Sequence, residues 1–596
     1  MWPIFFLLSV CCFILSVALC IVIGNRKRIK KRKFNFFNLL LAGTFAAAFC
    51  LFVPVNIGTA DVTVVNCFIA ILLSVINSVE VFGFGCDYGA VVEIVTDSPQ
   101  WLIAAFQLWV ALVFVIAPIF TAGVVLSLFK NIFAHIRYLC AYFKDAYVFS
   151  ELNEKSLVLA GDIKKNNPKA VVIFTDVFKD SEEKERELIE QAKEFGAINF
   201  RKDILVIDFN RHSAKKSISF FAIGEDEQEN LNQSLKLIKQ YKNREKTRIY
   251  VFSIRIESEL LLTSVDKGKV KVHRVNEVKS LINRTLYTQG QILFDGAKKA
   301  EDGSKHISAV VVGMGNHGTQ MVKALSWFCQ MDGYKLKINA FDKDPLAEEK
   351  FVAVVPELMS AKYNGVDIEG EAQYKITVHA DTDVQTITFA NKIKEISDAT
   401  YVFVALGNDD VNINTAVMLR MYFERMKIHP VIHAVVYNSQ QKKALEGIKN
   451  FKGQVYDIAF IGDMESSYTE DVIIDSELEE DALERHMKWG EEDTFWTYEY
   501  NYHSSVASAI HMKAREKCGI PGATKKEEEL TPKERNVIEA LEHRRWNAYM
   551  RSEGYVFSGS TDPESRNDLA KTHNDLVDYE TLADDEKRKD GSVGTK

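Results

Sequence analysis

Between Asn35 and Phe129 the chain carries no lysine or arginine, and long apolar runs fill most of that window. Its charges are all acidic: Asp61, Glu80, Asp87, Glu93 and Asp97. Directly before it stands the basic stretch Arg26-Lys27-Arg28-Ile29-Lys30-Lys31-Arg32-Lys33. A hydrocarbon layer about 30 Å thick needs ~20 apolar residues to cross it, and only helices or closed barrels satisfy their backbone polar groups there. Phe5 to Ile23, Phe36 to Val55 and Trp101 to Phe129 meet that length, and Val64 to Val79 is a shorter run holding Asn66, Ser74, Asn77 and Ser78. Residues 1–130 therefore read as a helical membrane domain. The whole-chain composition, with 26% charged residues and net charge -8, hides this segregation.

No positive charge precedes the first run, so it reads as a span and not a cleaved leader. The positive-inside rule places the basic loop in the cytoplasm and the N-terminus outside. Everything after Lys130 looks soluble, so the C-terminal domains are expected in the cytoplasm below a plasma membrane that the chain crosses several times, in contact with lipid. Three crossings satisfy this arrangement and four do not. The third run is therefore expected to enter and return on one side, which is tolerated where protein or water surrounds it. Nine cysteines form no CxxC pair and no metal-ligand spacing with histidine, so no metal is expected.

After that run comes Glu80-Val81-Phe82-Gly83-Phe84-Gly85-Cys86-Asp87. Alternating glycines give a backbone the freedom that a carbonyl-lined filter needs. The order short helix, Gly-aromatic-Gly, acid, long helix resembles the pore of potassium-channel-like proteins. The resemblance implies a permeant monovalent cation; Phe82, Glu80 and Val81 depart from the usual filter residues, which leaves selectivity open. A Gly-rich outer loop between ordinary spans is the alternative. In the long helix, Pro118 removes a backbone donor and Gly123 is a candidate gating hinge.

From Ala146 short apolar strands alternate with amphipathic helices, the pattern of a parallel doubly wound sheet. A linker over 131–145 leads into a first Rossmann-like unit over 146–295. Strands are expected at 147–150, 170–174, 217–222, 248–252 and 269–273. Where a dinucleotide site has glycines this unit has Ser150-Glu151-Leu152-Asn153-Glu154, whose carboxylates would repel a pyrophosphate. A second Rossmann-like unit, 306–480, is better equipped. The strand Ile307–Val312 leads into Gly313-Met314-Gly315-Asn316-His317-Gly318 and a helix, and the next strand ends at Asp342. That is a GxGxxG fingerprint with an acid roughly 20 residues on, in strand-turn-helix context. Asp381, Asn408 and Asp409 follow later strands and join the candidate cofactor site. No Tyr-x-x-x-Lys pair or His/acid dyad stands near a nicotinamide position, so an enzyme is not expected.

Phe220 to Asn230 and Val404 to Asn412 resemble the fourth strand and following turn of the regulator-of-potassium-conductance (RCK) family, related to the nucleotide-binding domains of potassium-uptake regulators. The resemblance implies a homo-oligomer, a tetrameric pore above a ring of paired domains, with NAD(H) or another adenine nucleotide as regulatory ligand and no nucleic acid. From about 498 helices predominate. Leu541-Glu542-His543-Arg544-Arg545-Trp546-Asn547-Ala548-Tyr549, Gly554-Tyr555 and Lys571 to Leu582 resemble the ryanodine-receptor repeat over 498–590. His543, Arg544, Arg545, Trp546 and Tyr555 offer charge and stacking faces to a nucleotide-type ligand; Trp546 as core and the arginines as a solvated face is the plainer alternative. The last residues, 591–596, are expected to fray.

The expectation is a membrane-helical domain, two α/β domains and a mainly α C-terminal domain, working as a ligand-gated cation channel. Rossmann and ryanodine-type domains on a membrane anchor also resemble bacterial nucleotide-activated defence effectors. The alternatives are a membrane-anchored nucleotide sensor with no pore and a membrane-bound NAD(P)-dependent oxidoreductase.

Overall fold

The computed structural model describes residues 2–25, 36–58, 63–83, 85, 87–96, 98–177, 183–359, 362–363, 366–367, 374–474 and 476–595. The basic stretch Arg26–Lys33, Asp61, Phe84, Cys86 and Asp97 lie outside them. The chain divides into two compact units, 1–139 and 140–596.

The first unit contains α1 (Trp2–Asn25), α2 (Phe36–Ile57), α3 (Val64–Phe82) and α4 (Gln100–Cys140). Each holds a stretch long and apolar enough to cross a membrane. Small residues bring α1 and α2 together: a Cβ on Gly43 would stand 2.4 Å from that of Ser16. Ser9 donates to Ala47 O (2.8 Å) and accepts from Trp109 Nε1 (2.9 Å), tying α1 to both α2 and α4. Such hydrogen bonds and close backbone approach replace the hydrophobic drive that lipid removes. Ala70, Ser74, Ser78 and Val81 form the buried face of α3. Asn56 of α2 donates to Ser74 Oγ (3.0 Å) and accepts from Asn77 Nδ2 (3.4 Å). Helix α3 is longer than the run Val64–Val79 suggests, because Glu80, Val81 and Phe82 form its last turn. Helix α4 runs without a break through Pro118, Gly123 and most of the expected linker.

The second unit is built on two large sheets of parallel strands. The first takes β1 (Ala146–Phe149), β2 (Val171–Phe174), β3 (Ile198–Asn199), β4 (Ile218–Ala222), β5 (Thr247–Phe252) and β6 (Lys271–Val275), in the spatial order β3-β2-β1-β4-β5-β6. Helices α5 (Glu154–Asn166), α6 (Glu227–Tyr241) and α7 (Glu277–Gln289) follow β1, β4 and β6. The second takes β7 (Lys305–Val312), β8 (Tyr334–Phe341), β9 (Tyr374–His379), β10 (Tyr401–Val404), β11 (Val431–Val435) and β12 (Ile458–Ile461), ordered β9-β8-β7-β10-β11-β12. The short strand Lys298–Lys299 adds antiparallel to β7. Helix α8 (Asn316–Phe328) follows β7 and α9 (Asp409–Arg425) follows β10. Central strands are apolar on both faces, as a sheet covered on both sides demands: β4 and β10 are buried throughout.

After β12 the chain returns to the first sheet, where Tyr468, Ile473 and Ile474 join its core. A mainly helical region follows, with α10 (Glu477–His486), α11 (Glu499–Cys518) and α12 (Pro532–Ser552) among its helices. They share one core with the second sheet, Trp327 of α8 meeting Tyr549 of α12 edge-on at 6.3 Å. An ionic network fastens them to the first sheet. Arg274 of β6 pairs with Glu499 and with Glu259 (3.2 Å), His503 Nε2 lies 3.0 Å from Glu499, and Lys279 of α7 pairs with Glu553 (3.0 Å). Burial alone would raise the Glu499 pKa, but His503 and Arg274 outweigh it and hold it at about 2.

The expected fraying at the C-terminus is corrected. Gly591 and Thr595 are buried. Lys488 donates to Thr595 O (2.7 Å) and Arg515 to Gly594 O (3.2 Å), with Arg485 also on Thr595 O. Short polar residues carry no apolar signal, and it is these distant cations that fix them.

Candidate functional site

The glycine turn of the second sheet is built as its sequence demands. Gly313 has φ +94, and a Cβ there would meet Ala405 O at 2.3 Å. Gly318 packs so closely that a Cβ would lie 1.6 Å from Gly313 O. Gly315 faces open space at the start of α8, whose first turn has no side-chain cap. Asp342 reaches the turn: its Oδ2 accepts from Met314 N (2.6 Å) and its Oδ1 from Asp344 N (2.8 Å). Each carboxylate oxygen keeps a further lone pair, so Asp342 holds the loop and can still accept from a ligand hydroxyl.

Asn408 and Asp409 hold the backbone together. Asn408 caps α9 through Val411 N (3.1 Å), and Asp409 accepts from Tyr437 N (3.1 Å) and Asn438 N (2.8 Å) beyond β11. Asn412 is buried, accepting from Leu406 N (2.6 Å) and donating to Val435 O (2.8 Å). The first sheet repeats this pattern at the same spacing. Asp226 caps α6 through Gln228 N (2.9 Å). Glu227 accepts from the Ser253 hydroxyl (2.8 Å) and Ile254 N (3.0 Å) beyond β5. Asn230 accepts from Gly224 N (2.7 Å) and donates to Phe252 O (3.0 Å). Asp381 takes a left-handed backbone, φ +49, beside the Asp342 loop, with its side chain exposed.

A cavity of about 720 Å³ opens at the carboxyl ends of both sheets, within the size range of small-molecule sites. The first sheet contributes Lys155, Glu277 and Arg284; the second contributes His317, Tyr437 and Lys442. Asn316 and His317, from the fingerprint, stand on this wall. His317 Nε2 lies 3.2 Å from the Tyr437 hydroxyl. Burial lowers the His317 pKa, so the ring is neutral near pH 7; burial with Glu277 and Asp409 nearby pushes Tyr437 up to about 12. The flanking charges are matched, Lys155 to Glu277 (2.9 Å) and Lys442 to Asp463 (2.6 Å), and Arg284 donates to Ser466 O (2.5 Å). Val275, Leu281 and Ile461 supply apolar wall. No protein-family model matches the chain, and no curated protein does.

The switch point of the first sheet is closed by acids. Glu151 lies where a Cβ on Gly224 would meet its Oε2 at 2.8 Å. Burial raises the Glu151 pKa, with Glu225 and Asp176 adding to the rise.

In the C-terminal region a second cavity, of about 540 Å³, brings together His543, Arg545 and Trp546. Arg544 and Tyr555 are not on its wall; Tyr555 is buried against Tyr500, ring centroids 6.1 Å apart. His543 Nε2 donates to Val577 O (2.8 Å), and its Nδ1 lies 3.1 Å from Asp590 Oδ2. Burial raises Asp590 to about 6 against the pull of His543, and lowers His573 to about 4. Arg545 and Arg515 share the buried carboxylate of Glu542. The sequence places a helix at Ser504 to Lys517, within α11, but not the role of its polar face: Ser504, Ser508, His511 and Arg515 recur at helical spacing and are all buried. A polar stripe on a helix with few exposed residues was the available signal.

In the first unit, Gly83 N and Gly85 N both bond to Glu80 O (2.9 and 3.0 Å), and Asp87 caps Tyr88–Val92 through Gly89 N (2.8 Å). Val81 is buried and Phe82 meets Phe45 at 6.3 Å.

Proposed function

We propose that the chain is a ligand-gated, homo-oligomeric membrane channel for monovalent cations, opened by a nucleotide-type ligand in the cavity between its two α/β sheets. The observation that carries this reading is that cavity. It stands outside the carboxyl ends of two sheets whose strand order reverses at the centre, where doubly wound folds take their ligands, and its wall includes Asn316 and His317 of the glycine fingerprint. A ligand touching both sheets has differential affinity for closed and open arrangements of the cleft, which is what a gating equilibrium requires. The acid-only window and Gly83-Phe84-Gly85 support a cation path, with Pro118 and Gly123 as its hinge.

The α3 hydrogen bonds favour a second reading, a membrane-anchored sensor without a pore. Ser74 and Asn77 face Asn56 of the same unit, and 19 residues of α3 reach about 28 Å at 1.5 Å each. The readings differ in crossings: three put the basic loop Arg26–Lys33 on the same side as the α/β unit, four put it opposite. Full-length protein in planar bilayers, scanned with NAD, ATP and cyclic nucleotides, is expected to conduct only with ligand. Glu80→Gln is expected to change the single-channel current. Binding without any conductance would establish the sensor and remove the channel.

A further inference from the structure

We propose that the C-terminal cavity binds a small organic anion, an acidic group carried on a flat aromatic ring, with Arg545 as its anchor. This site is separate from the cleft between the sheets and does not depend on that reading. Arg515, Arg545 and Glu542 are at most 2% exposed. Two guanidinium groups thus share one carboxylate, and the group keeps a net positive charge in the interior. His511 does not change this balance: its Nδ1 accepts from Arg515 Nε (2.7 Å) and its Nε2 donates to Gln330 O (2.7 Å), so the ring is neutral. The cavity wall also carries Asp575, Asp585, Glu586 and Asp590 beside Arg566 and Lys589; of these, Asp590 is engaged by His543 and Glu586 by Lys589.

The hydrogen bonds of Arg545 show where the compensation belongs. Its Nε and Nη2 both donate to Glu542 (3.1 and 2.7 Å). Its Nη1 is buried and has no acceptor among the described residues, although the side chain stands on the cavity wall. A buried charged donor without a partner is expensive, and an acceptor in the cavity would remove that cost and the net charge together. Ser504 and Ser508 of α11 line the same space and can add hydroxyl donors. The remaining wall selects what carries the acid. Trp546 and Tyr500 present aromatic surface, and Asp575 can accept from a ring amino or imino group. A bare phosphate ion would leave most of about 540 Å³ unfilled.

The test uses the full chain in detergent, followed by thermal unfolding and calorimetric titration with adenosine 5′-monophosphate, indole-3-acetate, adenosine and indole. One of the two anions, phosphate- or carboxylate-bearing, is expected to raise the melting temperature in a concentration-dependent way, at least tenfold more tightly than its neutral parent. Arg545→Gln should abolish the effect, and Ser508→Ala should weaken binding about threefold. Should Arg545→Gln fail to fold, Ser508→Ala and Trp546→Leu decide, and unchanged affinity in both overturns the site. The cleft variant Arg284→Gln must keep the effect. Loss in Arg284→Gln with retention in Arg545→Gln would place the anion between the sheets and overturn the proposal. So would the absence of any shift with either anion.

Discussion

The two α/β sheets have the same strand order and the same loop fastening, yet their switch points are chemically opposite. In each, an Asx cap, an acid one residue later and a buried asparagine three residues beyond that tie the fourth strand's turn to the loop after the fifth. In the second sheet the turn after the first strand is Gly313-Met314-Gly315, and the space beyond it is open. In the first sheet the same turn is Ser150-Glu151, and the glutamate occupies the approach to Gly224. A shared scaffold thus carries one turn left open by glycines and one filled by its own acid. Fold and site are separate layers of information, and substitutions can separate them.

The largest effect is expected at the tightest approach. In Gly318→Ala the new Cβ would fall 1.6 Å from Gly313 O, which belongs to backbone and cannot swing away. Turn and helix must separate, at a cost of about 4 kcal/mol or more, the range of severe backbone and packing lesions. At the first sheet's switch point the glycine is Gly224, on the fourth strand's turn, and in Gly224→Ala the new Cβ meets Glu151 Oε2 at 2.8 Å and Asn230 Oδ1 at 3.1 Å, both side-chain atoms. There a loss of about 1 kcal/mol is expected. Denaturant unfolding of the purified variants compares the two directly; equal losses would mean that the two turns are equally tight.

The fastening asparagines come next. The Asn230 side chain makes three hydrogen bonds, to Gly224 N, Gly224 O and Phe252 O, whereas that of Asn412 makes two. Replacing either by alanine leaves buried backbone groups unpaired, at about 1–3 kcal/mol for each deprived group that water cannot reach. Asn230→Ala should therefore destabilise more than Asn412→Ala. The reverse order, read in the same unfolding experiment, would break the equivalence drawn between the loops.

Much of this duplication was legible. The strands near 147–150, 170–174, 217–222 and 248–252 stand where apolar runs end at Ser, Thr, Gly or Asp, and the resemblance between the 220–230 and 404–412 segments marks the repeated turn. The sixth strand slides from the expected 269–273 to Lys271–Val275, because Gly268 (φ +56) and Val270 belong to the preceding turn. Gly313 and Gly318 of the fingerprint were legible because a positive φ at the first and close approaches at both admit no other residue. The second role of Asp342 and the backbone roles of Asn408 and Asp409 were not, because a carboxylate holding two backbone N–H groups looks in sequence like one awaiting a ribose. The Arg515–Glu542–Arg545 group was invisible for a different reason. Its members lie 27 and 3 residues apart, and only the packing of α11 on α12 brings them together.

The smallest effect isolates charge from shape. The Glu151 pKa is raised, chiefly by burial and then by Glu225 and Asp176, against the hydrogen bond from Asn153. A carboxyl group whose folded pKa lies above its unfolded value favours the fold while protonated. Its contribution is complete below the unfolded pKa of about 4.3 and is lost as pH rises through the folded value. Glu151→Gln keeps an oxygen for Asn153 and removes the ionisation, so it should raise the melting temperature by a few degrees at pH 7 and leave it unchanged at pH 4. Met314 holds the equivalent place in the second sheet and has no charge to lose, so Met314→Gln should show no such difference between the two pH values. If Glu151→Gln is neutral at pH 7 as well, water reaches the first switch point freely, and the contrast between a closed site and an open one reduces to the glycines alone.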